Sequence, residues 1–317
     1  MPSPLWSVAI VGVLLTGGCQ DFSFSKRDSE VRDPVIVEET FQQEALPQTD
    51  ILWVIDNTSS MADEIATLAE ALGSFADELD TFGVNWQVGL ITADIQSEHA
   101  GRLLGDPWIL TPDVEDPATT LQTTAALATD GQTPEAPLGA AWLALTEPLA
   151  SGDNRAFRRD DAALHVIVVS DADDDSAEVL GQDPAGAFVT FLASEAERTG
   201  RPARLSAVVG DTPSGCTWDG GSALPGAQLA AVAEQTGGVV ASICAQDLSE
   251  VTAACSEASV AWPDTFPLQA TPAPDSVRVA IDGTRQEDGW EVVGAELHFE
   301  VAPAPGAEIA VRYEVAE

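Results

Sequence analysis

The sequence predicts an α/β protein, with a mostly parallel central sheet flanked by helices, followed by a small C-terminal all-β module. Three observations predict it. Between about residues 47 and 258, apolar strands alternate with amphipathic helices, the order that builds a parallel sheet covered by helices. Two strands, Ile51 to Ile55 and Leu164 to Ser170, are nearly continuous apolar runs, as strands buried on both faces must be. After Pro263 the pattern changes to short alternating strands separated by turns.

The elements follow in order. Asp50 to Ile55 is the first strand of the α/β region, and Ile65, Leu68, Leu72, Phe75 and Leu79 then step by three and four along one helix face. Trp86 to Thr92 is the next strand, and Gly101 to Asp113 reads as loop or hairpin. Leu138, Trp142, Leu145 and Leu149 mark a second helix, and Leu164 to Ser170 is a strand interrupted in its apolar character by His165. Asp183-Pro184 is a helix start, a capping carboxylate followed by Pro in the first turn. That helix stops by Gly200, Leu205 to Val209 is a strand, and Pro225 to Thr236 is a helix ended by Gly237-Gly238. Val239 to Ile243 and Asp247 to about Ser259 are the last strand and helix of this region. Beyond it, residues 276–281, 290–293, 296–301 and 308–315 read as strands of a small β-sandwich-like module spanning 263–317, with Asp282-Gly283 as a hairpin turn. Trp53, Trp86 and Trp142 are expected in the core, whereas Trp108 and Trp218 fall in loops.

Composition narrows the function classes. The chain has 317 residues and a net charge of -39, from 52 acidic and 13 basic residues. Such a surface repels nucleic acid and anionic membranes, so no nucleic-acid partner is expected. The only Lys is Lys26, which excludes a phosphate-binding Gly-Lys loop in the folded body, and no Gly-x-Ser-x-Gly nucleophile elbow occurs. The chain is therefore not expected to be an enzyme.

Leu5 to Thr16 is an apolar run too short for a spanning helix of about 20 residues, and it ends in Gly17-Gly18-Cys19. Its length suits a signal-peptide core. The small residues before Cys19 resemble a bacterial lipobox. That resemblance implies a signal peptide over 1–18, a lipidated Cys19, a tether over 19–46 and anchoring in the bacterial envelope. Gln20 after the Cys implies the outer membrane, while plain secretion and an uncleaved anchor are the alternatives. In an oxidising compartment the remaining Cys216, Cys244 and Cys255 allow one disulfide. Cys216 to Cys244 is the preferred pair, and Cys255 is left over on a helix.

The chemistry concentrates after the first strand, at Asp56-Asn57-Thr58-Ser59-Ser60, which fits Asp-x-Ser/Thr-x-Ser. One carboxylate and two hydroxyls leaving a strand's carboxyl end are hard oxygen donors in the place where open α/β sheets bind ligands. Gly131-Gln132-Thr133-Pro134-Glu135 precedes the Trp142 helix, and Asp171 ends the strand Leu164 to Ser170. The simplest competing account makes Thr58 and Ser60 caps of the helix that follows.

Together these residues resemble the von Willebrand factor A domain and its metal-ion-dependent adhesion site. The resemblance covers 47–258 and implies a Rossmann-like domain with Mg²⁺ (or Mn²⁺ or Ca²⁺) held at Asp56, Thr58, Ser60, Thr133 and Asp171. Thr123, Thr124 and Thr129 lie close to Thr133 and are alternatives to it. It further implies a protein partner that offers an acidic side chain to the metal, hence adhesion. The alternatives are an envelope structural or assembly protein with a merely stabilising metal, and a metal-dependent hydrolase. Asp171 to Ser176 is too poor in the required Gly and Glu to be an EF-hand loop, and Asp173 to Asp175 read as an acidic rim or as helix caps.

Overall fold

A computed structural model of the chain describes residues 34–43, 47–128, 131, 133–218, 221–260 and 262–316. The signal segment 1–18, Cys19 and the tether up to residue 33 lie outside the described residues. In chain order, β1 (Ile36–Gln42) precedes β2 (Gln48–Ile55), a single 3-10 turn (Ser59–Met61), α1 (Ala62–Phe82) and β3 (Asn85–Thr92). Next come α2 (Pro117–Ala125), α3 (Pro137–Leu145), β4 (Ala163–Val169), α4 (Ala177–Leu180), α5 (Pro184–Thr199) and β5 (Ala203–Val209). The α/β region closes with β6 (Cys216–Trp218), β7 (Gly221–Ala223), α6 (Ala227–Thr236), β8 (Val240–Ser242) and α7 (Leu248–Ser259). The β module adds β9 (Thr265–Pro267), β10 (Arg278–Ile281), β11 (Thr284–Gln286), β12 (Trp290–Val293), β13 (Glu296–Phe299) and β14 (Glu308–Glu314).

The central sheet has five parallel strands in the order β3-β2-β4-β5-β8. Side chains alternate across a strand, so β2 feeds two cores. Ile51, Trp53 and Ile55 pack with Leu68, Leu72, Phe75 and Leu79 of α1 and Cys255 of α7. Leu52 and Val54 pack with Leu138 of α3, Phe188 and Leu192 of α5, and Leu229 and Val232 of α6. This explains why β2 reads as a continuous apolar run. Each such side chain, fully buried, contributes about 1.5–3 kcal/mol. Trp53 and Phe75 meet edge to face with centroids 5.1 Å apart. Helix α1 ends where Gly83 takes a left-handed φ of 65° and returns its N–H to the Asp80 carbonyl, a conformation in which a side chain would be strained. No helix among the described residues is long and apolar enough to cross a membrane.

A titratable ring sits inside this core. His165 on β4 is 1% exposed, with Nδ1 2.7 Å from Ser259 Oγ on α7 and Nε2 2.7 Å from Ser206 Oγ on β5. Burial, reinforced by the Arg204 charge, pushes its pKa down from 6.5 to about 3. The folded value lies below the unfolded one, so the stability His165 contributes is complete above pH 6.5 and is lost as the pH falls towards 3. As the pH falls from 6.5 to 5 the stability of the natural chain should therefore fall relative to His165→Gln, with a slope that steepens towards a limit of about 1.4 kcal/mol per pH unit. Urea denaturation of both proteins checks this, and parallel stability curves would refute it.

The β module has strands its sequence reading lacked: β9, β11 and, from the far end of the chain, β1. Residues 36–42, assigned to the tether, form β1 and pair antiparallel with β14 from Ile36↔Glu314 to Gln42↔Glu308. The alternation that marks a strand is hidden because its middle inward position is Glu39, buried at 9% and bonded by the Tyr313 hydroxyl. β1-β14-β10-β11 form one sheet and β12-β13-β9 the other, around Phe266, Val279, Leu297, Ile309, Val311 and Tyr313. The α/β region thus lies between β1 and β9 in the chain. Gln43 stitches the two crossings, its Nε2 donating to the carbonyls of Pro263 at 2.8 Å and Pro303 at 3.0 Å.

Candidate functional site

Register brings the site together. In the parallel pairing of β2 with β4, Ile55 stands opposite Val169, and the Asp56 N–H donates to the Val169 carbonyl at 2.9 Å. The first residues beyond these strands, Asp56 and Ser170, are therefore neighbours at the carboxyl edge of the sheet. On the other side Ile55 stands opposite Thr92 of β3, and Ala93 donates to the Ile55 carbonyl at 3.0 Å. The segment before α3 docks onto that end of β3, through Ala136 N–H to the Ala93 carbonyl and a bridge between Asp94 and Glu135.

The side chains form one connected series. Asp56, 1% exposed, accepts from Ser170 Oγ at Oδ2 (2.7 Å) and from the Thr58 N–H (3.0 Å) and Thr58 Oγ1 (2.8 Å) at Oδ1. Thr58 Oγ1 lies 3.0 Å from Ser60 Oγ, and the Ser60 hydroxyl faces the Asp171 carboxylate and favours its ionised form. Burial raises the pKa of Asp171, and the charges of Asp56 and Glu135 raise it further, against the bond from Ser60. No Arg or Lys among the described residues forms an ion pair with Asp56, Asp171 or Glu135.

Proton counting tests whether a cation suits this arrangement. Thr58 and Ser60 have one hydroxyl proton each. They serve three oxygen–oxygen contacts: Thr58 with Asp56, Thr58 with Ser60, and Ser60 with Asp171. With both carboxylates ionised, one of those contacts always lacks a proton. A divalent cation removes the deficit, because hydroxyl lone pairs become its ligands while the protons point to the carboxylates. The donor set fits a hard cation such as Mg²⁺. Among the described residues no group of three His, Cys, Asp or Glu side chains gathers to hold a metal, so a cation here depends on the hydroxyls.

Four of the five sequence-predicted residues are thus in direct succession. Thr133 is exposed, on the segment whose Glu135 faces Asp171, and makes no recorded bond to the other four. Thr124, one of its alternatives, is buried on α2 and bonds the Thr120 carbonyl, so it is committed elsewhere. Thr58 and Ser60 do not cap the helix: neither the 3-10 turn nor α1 has a side-chain cap. Sequence reasoning missed Ser170, whose signal was its place between an apolar strand and Asp171. It also missed Gly131, which donates to the Asn57 carbonyl at 2.7 Å and where a Cβ would stand 2.3 Å from Asn57 Oδ1. A side chain at 131 would have to displace the Asn57 amide from its place beside the Asp56 turn.

Two members of the acidic run after Asp171 hold helix starts. Asp173 accepts from the Gln228 N–H at the start of α6, and Asp174 accepts from the Leu138 N–H at the start of α3 and from the Ser176 N–H just before α4. The hairpin β6-β7 replaces the loop expected around Cys216, and Cys216 is joined to Cys244 with Cα atoms 6.1 Å apart. Cys255 is free and buried, its pKa pushed up to about 12 by burial. Trp108 is 41% exposed beneath the Arg155 guanidinium, 5.6 Å from the ring centroid, and Trp218 is half-buried in the hairpin.

No protein-family model matches the chain, and no curated protein does. Two solved structures are similar in part. One is proximal thread matrix protein 1 from the mussel byssus, at 14% identity and a TM-score of 0.40, covering 71% of this chain and 49% of that one. Another is the pilus adhesin SpaC from Lactobacillus rhamnosus GG, at 12% identity and a TM-score of 0.38, covering 88% of this chain and 41% of that one. The chain spans less than half the length of either.

Proposed function

We propose that this chain is an envelope-tethered adhesion protein. Its α/β region is a von Willebrand factor A-type domain that binds a protein partner through a divalent cation. Asp56, Thr58, Ser60 and Asp171 would hold Mg²⁺, with Thr133 approaching from the α3 segment. The cation supplies a positive docking point for a carboxylate of the partner. Cys19, lipidated, would tether the protein to the membrane, and this part of the proposal rests on the sequence of residues 1–19.

The proton deficit along Asp56–Thr58–Ser60–Asp171 supports the metal most directly. A binding role fits better than catalysis. The site brings carboxylates and hydroxyls together without a His or Lys to act as base, and the neutral His165 is sequestered between β5 and α7.

Isothermal titration of Mg²⁺ into the full chain tests the site. The natural chain should bind, and Asp56→Ala should weaken binding by more than about tenfold, a difference of about 1.4 kcal/mol. Equal affinities would sink the metal site. Capture from envelope extract with and without chelator then separates adhesion from a stabilising metal: a partner retained in chelator favours the structural alternative.

A further inference from the structure

The basic residues of the β module gather on one sheet face, away from the candidate metal site. Arg278, Arg285 and Arg312 are the only Arg or Lys residues of 263–317, and all three are exposed on the same sheet. The register aligns them. Arg278 on β10 is directly opposite Arg312 on β14, Arg312 is opposite Glu38 on β1, and Arg285 on β11 is opposite Ala280. The next row is Arg285, Ala280, Ala310 and Thr40, so three small side chains floor a trough beside the Arg row. Its cavity is about 350 Å³ and includes Glu38, Thr40, Arg278, Ala280, Arg285 and Arg312.

Two like charges directly opposite on neighbouring strands are unfavourable. The pairing is more telling in a chain with 13 basic residues against 52 acidic ones, where acidic neighbours are plentiful. Glu38 neutralises Arg312 at 2.9 Å and Glu287 neutralises Arg285 at 2.9 Å. Among the described residues Arg278 has no carboxylate partner: its Nη1 donates to the carbonyls of Asp275 and Val277. A guanidinium has five donors in a planar fork suited to a carboxylate.

We propose that this trough binds an acidic peptide segment of a partner, with a carboxylate on Arg278 and Arg312 and an apolar side chain over Ala280 and Ala310. The charge of the whole chain argues for a short segment. A long polyanion or an anionic membrane would meet the field of a protein at -39, whereas an isolated carboxylate meets chiefly the local arginines. The apolar floor argues for a peptide over a simple anion, which would leave it uncovered.

Fluorescence polarisation with the full chain tests this, using a fluorescein-labelled hexapeptide that alternates glutamate and leucine, in EDTA. The peptide should bind, should lose at least about tenfold in affinity between about 0.05 and 0.5 M NaCl, and should bind at least about tenfold more tightly than its glutamine–leucine counterpart. Arg278→Gln and Arg285→Gln should each weaken it, Arg278→Lys less than Arg278→Gln, and Arg155→Gln on the α/β region should have no effect. Melting curves establish that each exposed-site variant is folded, and Arg285→Gln serves if Arg278→Gln is not. Equal binding of the two peptides, insensitivity to both Gln variants, or no binding would overturn the proposal. So would binding that appears only with Mg²⁺, which would assign the peptide to the metal site, or displacement by inorganic phosphate at the peptide's own concentration, which would make this a simple anion site.

Discussion

Asp50→Ala should destabilise the protein by about 3–5 kcal/mol, the usual result of removing one partner from a buried ion pair. The Asp50 side chain is fully buried at the start of β2. It accepts from Arg158 Nη1 at 2.9 Å, from Arg159 Nε at 2.7 Å and from the Arg159 N–H at 2.7 Å. The two guanidinium side chains are themselves only 9% and 17% exposed. Arg158 would keep Glu195 at 3.0 Å, but Arg159 would keep only neutral acceptors, among them Gln48, Asn85 and the Thr49 carbonyl. An Arg159 charge without a carboxylate would remain in a largely buried site, and that penalty, rather than the lost attraction, sets the size of the effect. Asp50→Asn should fall between, because it retains the shape and one acceptor. Since Asp50 and Asp56 occupy opposite ends of β2, Mg²⁺ affinity of the folded Asp50→Asn protein should match that of the natural chain. Urea unfolding gives the first number and titration the second. A loss below about 1 kcal/mol for Asp50→Ala, the level of an exposed pair, would show that the network is dispensable.

Most of the α/β region was legible because its signals are physical requirements of a two-sided sheet. Ile51 to Ile55 is apolar throughout because both faces are covered, and Gly200 and Gly237 close helices by taking left-handed φ values of 64° and 72°. Legibility fails where the deciding interaction is distant. Strand β1 has Glu39 at an inward position, which looks like tether until Tyr313 is in place, 274 residues away. Helix α2 has only Leu121 as a large buried apolar residue among threonines, so it shows no apolar period. Its sole local signal is the Asp116 cap before Pro117. The strands β6 and β7 have three residues each, too few for a period to register. At the site, the strand-end residues Asp56 and Asp171 could be read from sequence, but Ser170, Gly131 and Glu135 become partners only through the strand register and the docking of the α3 segment.

Asp171→Asn should have opposite effects with and without metal. In the metal-free protein Asp171 is 8% exposed, and both its burial and the nearby charges of Asp56 and Glu135 disfavour its ionised form. The folded pKa lies above the unfolded one, so at neutral pH the carboxylate detracts from stability. Asparagine keeps the shape and can still accept from Ser60, and it removes the charge. In EDTA the variant should therefore be the more stable protein, by roughly 1 kcal/mol, the usual gain from relieving one functional-site conflict. Saturating Mg²⁺ should reverse the order. A ligand at about 100 times its Kd adds about 2.7 kcal/mol to a protein that binds it, and the variant, lacking one of two carboxylates, should receive little of this. Melting curves of both proteins in EDTA and in Mg²⁺ measure the crossing. A helix-cap or purely structural role for Asp171 predicts the contrary, with the variant less stable under both conditions by a constant amount. A crossing would mean that Asp171 is retained in spite of the folded state, for the sake of the cation it helps to hold.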